Sequence, residues 1–60
     1  MDKSNWIKTL RASTGLSQAQ FAAENHIPVI TLQSWERGVR SPKMERLLEL
    51  SKKYDIPLNI

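Results

Sequence analysis

The sequence has no cysteine, which removes a disulfide framework and any zinc site built on thiolates. That absence fits a reducing compartment. It has one histidine, His26, and a lone imidazole is a poor start for a metal site, so neither a metal nor a cofactor is expected. No apolar run approaches the roughly 20 residues that span a bilayer. The opening Met1-Asp2-Lys3-Ser4-Asn5-Trp6 lacks the apolar core of a signal peptide. A soluble, cytoplasmic chain with no membrane partner is the expectation. Nor is there a glycine-rich phosphate loop, since the two glycines, Gly15 and Gly38, stand far apart. Ser17 and His26 invite a nucleophile-and-base reading, but nothing else in the chain completes it. A chain of 60 residues also leaves little room for a pocket of several hundred Å³, typical of ligand sites, on the order of 300–1,000 Å³. No catalytic residues and no enzyme activity are expected.

What is present is helical. One domain over residues 1–60 is expected, and a chain this short buries only about 60% of its unfolded surface, which favours local helical packing. The apolar residues recur with a helical period and no strand-like alternation persists. A first helix is predicted from Ser4 or Asn5 to about Ser13, with Ile7 and Leu10 on one face and Thr14-Gly15 as its end. Ser17-Gln18-Ala19-Gln20 has the capping-box pattern and opens a second helix that runs to about Asn25, with Phe21 facing the core. Asn25-His26-Ile27-Pro28 reads as a turn, because Pro28 disfavours helical geometry at Ile27 yet can begin a helix itself. The third helix is predicted from about Pro28 to Arg37, with Leu32 and Trp35 inward and Gly38 as the stop. Ser41, as cap, and Pro42, in the first turn, open a fourth. Its buried stripe is expected to be Met44, Leu47, Leu48 and Tyr54, and Asp55-Ile56-Pro57 ends it. Trp6 is expected to cover the fourth helix near Leu50 and Tyr54, with exposure for a partner as the alternative.

Charge is uneven along this frame. Residues 27–43 carry Arg37, Arg40 and Lys43 against Glu36 alone, whereas residues 44–60 balance Arg46, Lys52 and Lys53 against Glu45, Glu49 and Asp55. The basic excess thus sits around and just after the third helix, where it suits a polyanion. Two short helices joined by a turn of three or four residues form a helix-turn-helix unit. Phe21, Ile27, Leu32 and Trp35 can supply the shared core that holds its helices at a steep angle. The outer face of the third helix is then free to enter a groove about 12 Å wide.

The run Leu16-Ser17-Gln18-Ala19-Gln20-Phe21-Ala22, followed by Thr31-Leu32, Trp35-Glu36-Arg37-Gly38 and Ser41-Pro42, resembles the Cro/repressor (XRE) helix-turn-helix family. The most specific part is Leu-Ser-Gln together with Trp-Glu-Arg-Gly at this distance. The resemblance covers nearly the whole chain. It implies an all-α, lambda-repressor-like bundle of four or five short helices, and a prokaryotic or phage transcriptional regulator of repressor type acting on double-stranded DNA. By the same resemblance, Gln18 touches a phosphate, and Val29, Ile30, Thr31, Gln33 and Ser34 present the recognition face. Arg37, Arg40 and Lys43 lie where backbone contacts are common, and Arg11 and Glu36 form a structural ion pair between the first and third helices.

The sequence departs from the family pattern at three places. His26 stands where glycine is common, in a turn that tends to be left-handed. Pro28 stands at a cap position often held by Ser or Thr. Val29 and Ile30 are apolar where relatives carry hydrogen-bonding side chains, so their reading is contact with thymine methyl groups or closure of the turn against the second helix. No fifth helix of the kind that helps relatives dimerise is expected. A weak homodimer formed on DNA is expected instead, with the tail Ile56-Pro57-Leu58-Asn59-Ile60 as its contact or folded back beside Ile7 and Leu10. The rival reading is a protein-interaction module on the same scaffold, such as an antitoxin or accessory factor.

Overall fold

Helices α1 (Lys3–Thr14), α2 (Gln18–Glu24), α3 (Val29–Arg37) and α4 (Met44–Tyr54) follow one another in the computed structural model, which describes residues 3–58. No strand occurs among the described residues, so the fold is all-α. The apolar spacing of each helix explains what it buries. Trp6, Ile7 and Leu10 of α1, Phe21 and Ala22 of α2, Leu32 of α3 and Leu47 and Leu50 of α4 meet Ile27 from the turn in one core. The closest backbone packing sets α3 against both α1 and α2.

Local chemistry fixes the ends. Ser17 Oγ accepts from the Gln20 backbone N–H at 3.1 Å, and Gln20 Oε1 accepts from the Ser17 N–H at 3.0 Å, so the capping box is closed in both directions. Gly15 and Gly38 have φ of 74° and 78°, which closes α1 and α3 without the strain a Cβ brings. His26 (φ 57°) and Asp55 (φ 53°) hold the same left-handed geometry with side chains that disfavour it, at about 1–2 kcal/mol each. Pro28 begins α3 through its carbonyl, which accepts from the Thr31 and Leu32 N–H groups at 2.9 and 3.1 Å, and offers no side-chain cap.

Three expectations need correction. Lys43, not Ser41, is the N-cap of α4, and it makes no side-chain cap bond. Pro42 lies outside the helix and is buried, so the chain crosses the core edge before its first helical turn. Met44 (43% exposed) and Leu48 (47% exposed) lie outside the buried stripe. The core takes Leu47 and Leu50, three apart, and Met44 and Leu48 project beside that line. Trp35 is half-buried, packed on the core edge rather than in it; Leu32 takes the buried place on α3, and the indole inside the core is Trp6 of α1. The tail does not stand free. Ile56 and Leu58 pack partly buried on the core, and Trp6, itself buried, donates its indole N–H to the Pro57 carbonyl at 3.0 Å. Of the two placements expected for the tail, these contacts match the one folded back on the core that holds Ile7 and Leu10; Asn59 and Ile60 lie outside the described residues.

Candidate nucleic-acid interface

The underside of α3 is held by a polar chain. Arg11 of α1 donates to both carboxylate oxygens of Glu36, Nε to Oε2 at 2.7 Å and Nη2 to Oε1 at 3.1 Å, and donates through Nη1 to the Leu16 carbonyl at 3.2 Å. Such a two-pronged geometry fixes orientation as well as charge. Glu36 is 6% exposed, and a carboxylate so far from water needs a paired cation. The hydrogen bonds to Glu36 hold the Arg11 guanidinium above its ordinary pKa, against the opposing pull of desolvation. Gln18 Nε2 also donates to Glu36 Oε1, at 3.2 Å, and Gln33 Nε2 reaches Gln18 Oε1 at 3.5 Å. The last contact is at the limit of a hydrogen bond. Residues of α1, α2 and α3 are thereby tied at one point, with Gln18 half-buried inside the tie.

The opposite face of α3 is open. Val29, Ile30, Gln33 and Arg37 are exposed, and their spacing of three or four residues puts them on one side of the helix. Thr31 and Ser34 are half-buried at its edges. Beyond Gly38 the backbone turns back, with the Val39 and Arg40 N–H groups both donating to the Ser34 carbonyl at 3.0 and 3.3 Å. That return sets Val39 and Arg40 beside Ile30, Thr31 and Ser34, and the five line a surface notch of about 340 Å³. Arg37, Arg40 and Lys43 are exposed, and their side chains make no hydrogen bond or ion pair among the described residues. With Glu36 buried and committed to Arg11, no exposed carboxylate lies between His26 and Lys43.

Two features escaped the sequence reading. Val39, 66% exposed, joins Ile30 across the notch through the Gly38 turn, an adjacency that depends on where the chain doubles back. Asn25, read as a turn residue, is 6% exposed. Its Nδ2 donates to the Phe21 carbonyl and to the Tyr54 hydroxyl, each at 2.9 Å, and its Oδ1 accepts from Lys53 Nζ at 2.9 Å. The Asn25 carbonyl accepts from Arg46. The turn of the helix-turn-helix is thus bolted to α4, where Phe21 and Tyr54 stack with ring centroids 5.6 Å apart.

The expectation of little room for a pocket also needs correction. An open groove of about 480 Å³ lies where α1, α2 and α4 meet, lined by Ser13, Thr14, Leu16, Glu24, Tyr54 and Ile56. Space remains there because α1 and α4 both end at its border. Among the described residues no helix is long and apolar enough to cross a membrane.

A family model described as helix-turn-helix matches residues 7–60. Searches of curated proteins and of solved structures found no match. The family match spans well over half of the sequence and takes in α2, its turn and α3, so the chain belongs to the Cro/C1-type (XRE) helix-turn-helix family, a family of DNA-binding regulatory domains rather than of enzymes.

Proposed function

We propose that the chain binds a specific double-stranded DNA site by laying α3 in the major groove, and that it acts as a transcriptional regulator of repressor type in the cytoplasm of a prokaryotic cell. The observation that carries this reading is the outer side of α3 with its surroundings. Val29, Ile30, Gln33 and Arg37 share one exposed face, flanked by Arg40 and Lys43, with no exposed carboxylate from His26 to Lys43. An α-helix fits the major groove, and such a face meets both halves of the recognition problem. Gln33 offers a donor and an acceptor for adenine. Val29, Ile30 and Val39 offer apolar contact for thymine methyl groups. Thr31 and Ser34 offer hydroxyls at the edge of the face. Arg37, Arg40 and Lys43, with Gln18 across the turn, take the phosphates, which position the domain without carrying sequence information. One domain of this size reads few base pairs, so two copies on one side of the duplex, roughly 34 Å apart, complete a useful site.

Selection of bound sequences from a random duplex library tests the proposal. The expected result is a short enriched motif repeated as an inverted pair, bound with affinity that falls steeply as salt rises. Recovery of no motif overturns specific recognition. Affinity for duplex that is insensitive to salt overturns the phosphate contacts, and it directs attention to a protein partner for the apolar notch.

A further inference from the structure

We infer that the outer side of α4 is a self-association surface, on which two copies of this chain pair antiparallel about a two-fold axis passing near Leu48. Met44 and Leu48 are 43% and 47% exposed. They lie four residues apart, one above the other on the helix surface, and form an apolar stripe beside the buried one. The charged side chains of α4 sort into two groups. Arg46 pairs with Glu49 at 3.3 Å, and Lys53 is held by Asn25 Oδ1 at 2.9 Å. Glu45 and Lys52 are exposed and make no hydrogen bond or ion pair through their side chains among the described residues. These two are seven residues apart, close to two turns, so they lie along one edge of the same stripe on either side of Leu48.

That arrangement is self-complementary in one orientation. A two-fold contact is isologous, so each patch meets its own copy. Antiparallel pairing about Leu48 keeps the charged edges together and reverses their order, which sets each Glu45 beside the partner's Lys52 and packs Leu48 on its own copy. Parallel pairing puts the two charged edges on opposite sides of the seam, where neither Glu45 nor Lys52 meets an opposite charge. Two apolar side chains per copy cover far less than the roughly 800 Å² per partner of a stable complex. The pairing is therefore weak and transient. It does not depend on the DNA reading.

The test is sedimentation equilibrium of the full chain from micromolar to millimolar concentration, with circular dichroism to confirm that each variant is folded. Reversible dimerisation in the millimolar range is expected. Leu48→Glu abolishes it, and Glu45→Lys and Lys52→Glu each weaken it about threefold or more. The double charge swap E45K/K52E restores it to within about twofold. Glu24→Lys makes the same charge change on α2 and is expected to leave dimerisation within about twofold of the parent. The sequence holds no cysteine, so Leu48→Cys also gives a unique thiol, which a short bis-maleimide joins into a dimer much faster than it does Lys8→Cys. A chain that stays monomeric at millimolar concentration overturns the proposal. So does a double swap that fails to restore association, or a Leu48→Cys that links no faster than Lys8→Cys.

Discussion

Along its inner face α3 buries Leu32 and Glu36, and Glu36 has both oxygens occupied by Arg11. Along its outer face Val29, Ile30 and Arg37 stand in solvent with no bonded partner, and Gln33 has one long contact to Gln18. A helix of nine residues has little stability of its own, since isolated helices shorter than about 12–15 residues are marginal in water. Its conformation is therefore set from below. The bonds on the inner face fix the angle at which the outer face is presented, and this frees the outer side chains from any structural duty. The same helix shows how a candidate recognition face is legible as what the fold leaves unbonded.

The largest way to break that division is at its inner anchor. Arg11→Ala leaves the Glu36 carboxylate buried without its cation, and stability is expected to fall by about 3 kcal/mol. Glu36→Ala is milder, about 1–2 kcal/mol, because the Arg11 side chain is 24% exposed and can turn its charge to water. The double variant loses less than Arg11→Ala alone. Urea unfolding of the four proteins measures this directly, and a cycle with no coupling energy would count against the anchor.

How much of this was readable beforehand follows from the range of each signal. The capping box at Ser17 and Gln20 and the glycine ends at Gly15 and Gly38 are written within a few residues, and the sequence shows them; the left-handed turn at His26 follows only from the family resemblance. The exposed face of α3 follows from helical period once Leu32 is assigned inward. Ser41 misled because a cap and a proline are equally compatible with an extended crossing, and burial of Pro42 decided for the latter. Met44 and Leu48 misled because hydrophobicity reports no direction until a neighbouring helix defines it. Asn25 and Val39 take their meaning from residues brought near by the fold, Tyr54 and Ile30, and no local pattern announces such partners.

On the outer face the effects shift from stability to affinity. Gln33→Ala is expected to leave unfolding nearly unchanged and to weaken binding at the selected site by about 1–3 kcal/mol, with relaxed preference at one or two base pairs. Fluorescence anisotropy on a set of single-base variants of that site reads both quantities. Equal discrimination by parent and variant would remove Gln33 from base readout. Arg40→Ala and Lys43→Ala are smaller in consequence for specificity. Each is expected to weaken all duplexes alike and to flatten the plot of log affinity against log salt by about one unit. An unchanged slope in both variants assigns these cations to solvent.

The smallest expected effect lies at the turn between the two helices, where the inner and outer faces meet the same backbone. His26 holds φ at 57° and is exposed. A Cβ in this geometry crowds the following carbonyl at about 1–2 kcal/mol. Glycine removes that strain but also enlarges the freedom of the unfolded chain, which takes back about 0.4–1 kcal/mol. His26→Gly should therefore raise stability by about 0–1.6 kcal/mol, the difference of the two terms. The substitution leaves the turn's own bonds in place, because they are made by backbone groups, among them the Ile27 N–H donating to the Ala22 carbonyl at 2.8 Å. Affinity for the selected duplex is then expected to stay within about twofold of the parent, since the angle between α2 and α3 is unchanged and the imidazole is not among the proposed contacts. Unfolding at the same buffer and salt gives the first quantity, and anisotropy on the same duplex gives the second. A loss of stability in His26→Gly would mean that the imidazole makes up for its own strain. A large loss of affinity with stability intact would place His26 on the DNA, and the division between the two faces of α3 would then have to extend into the turn.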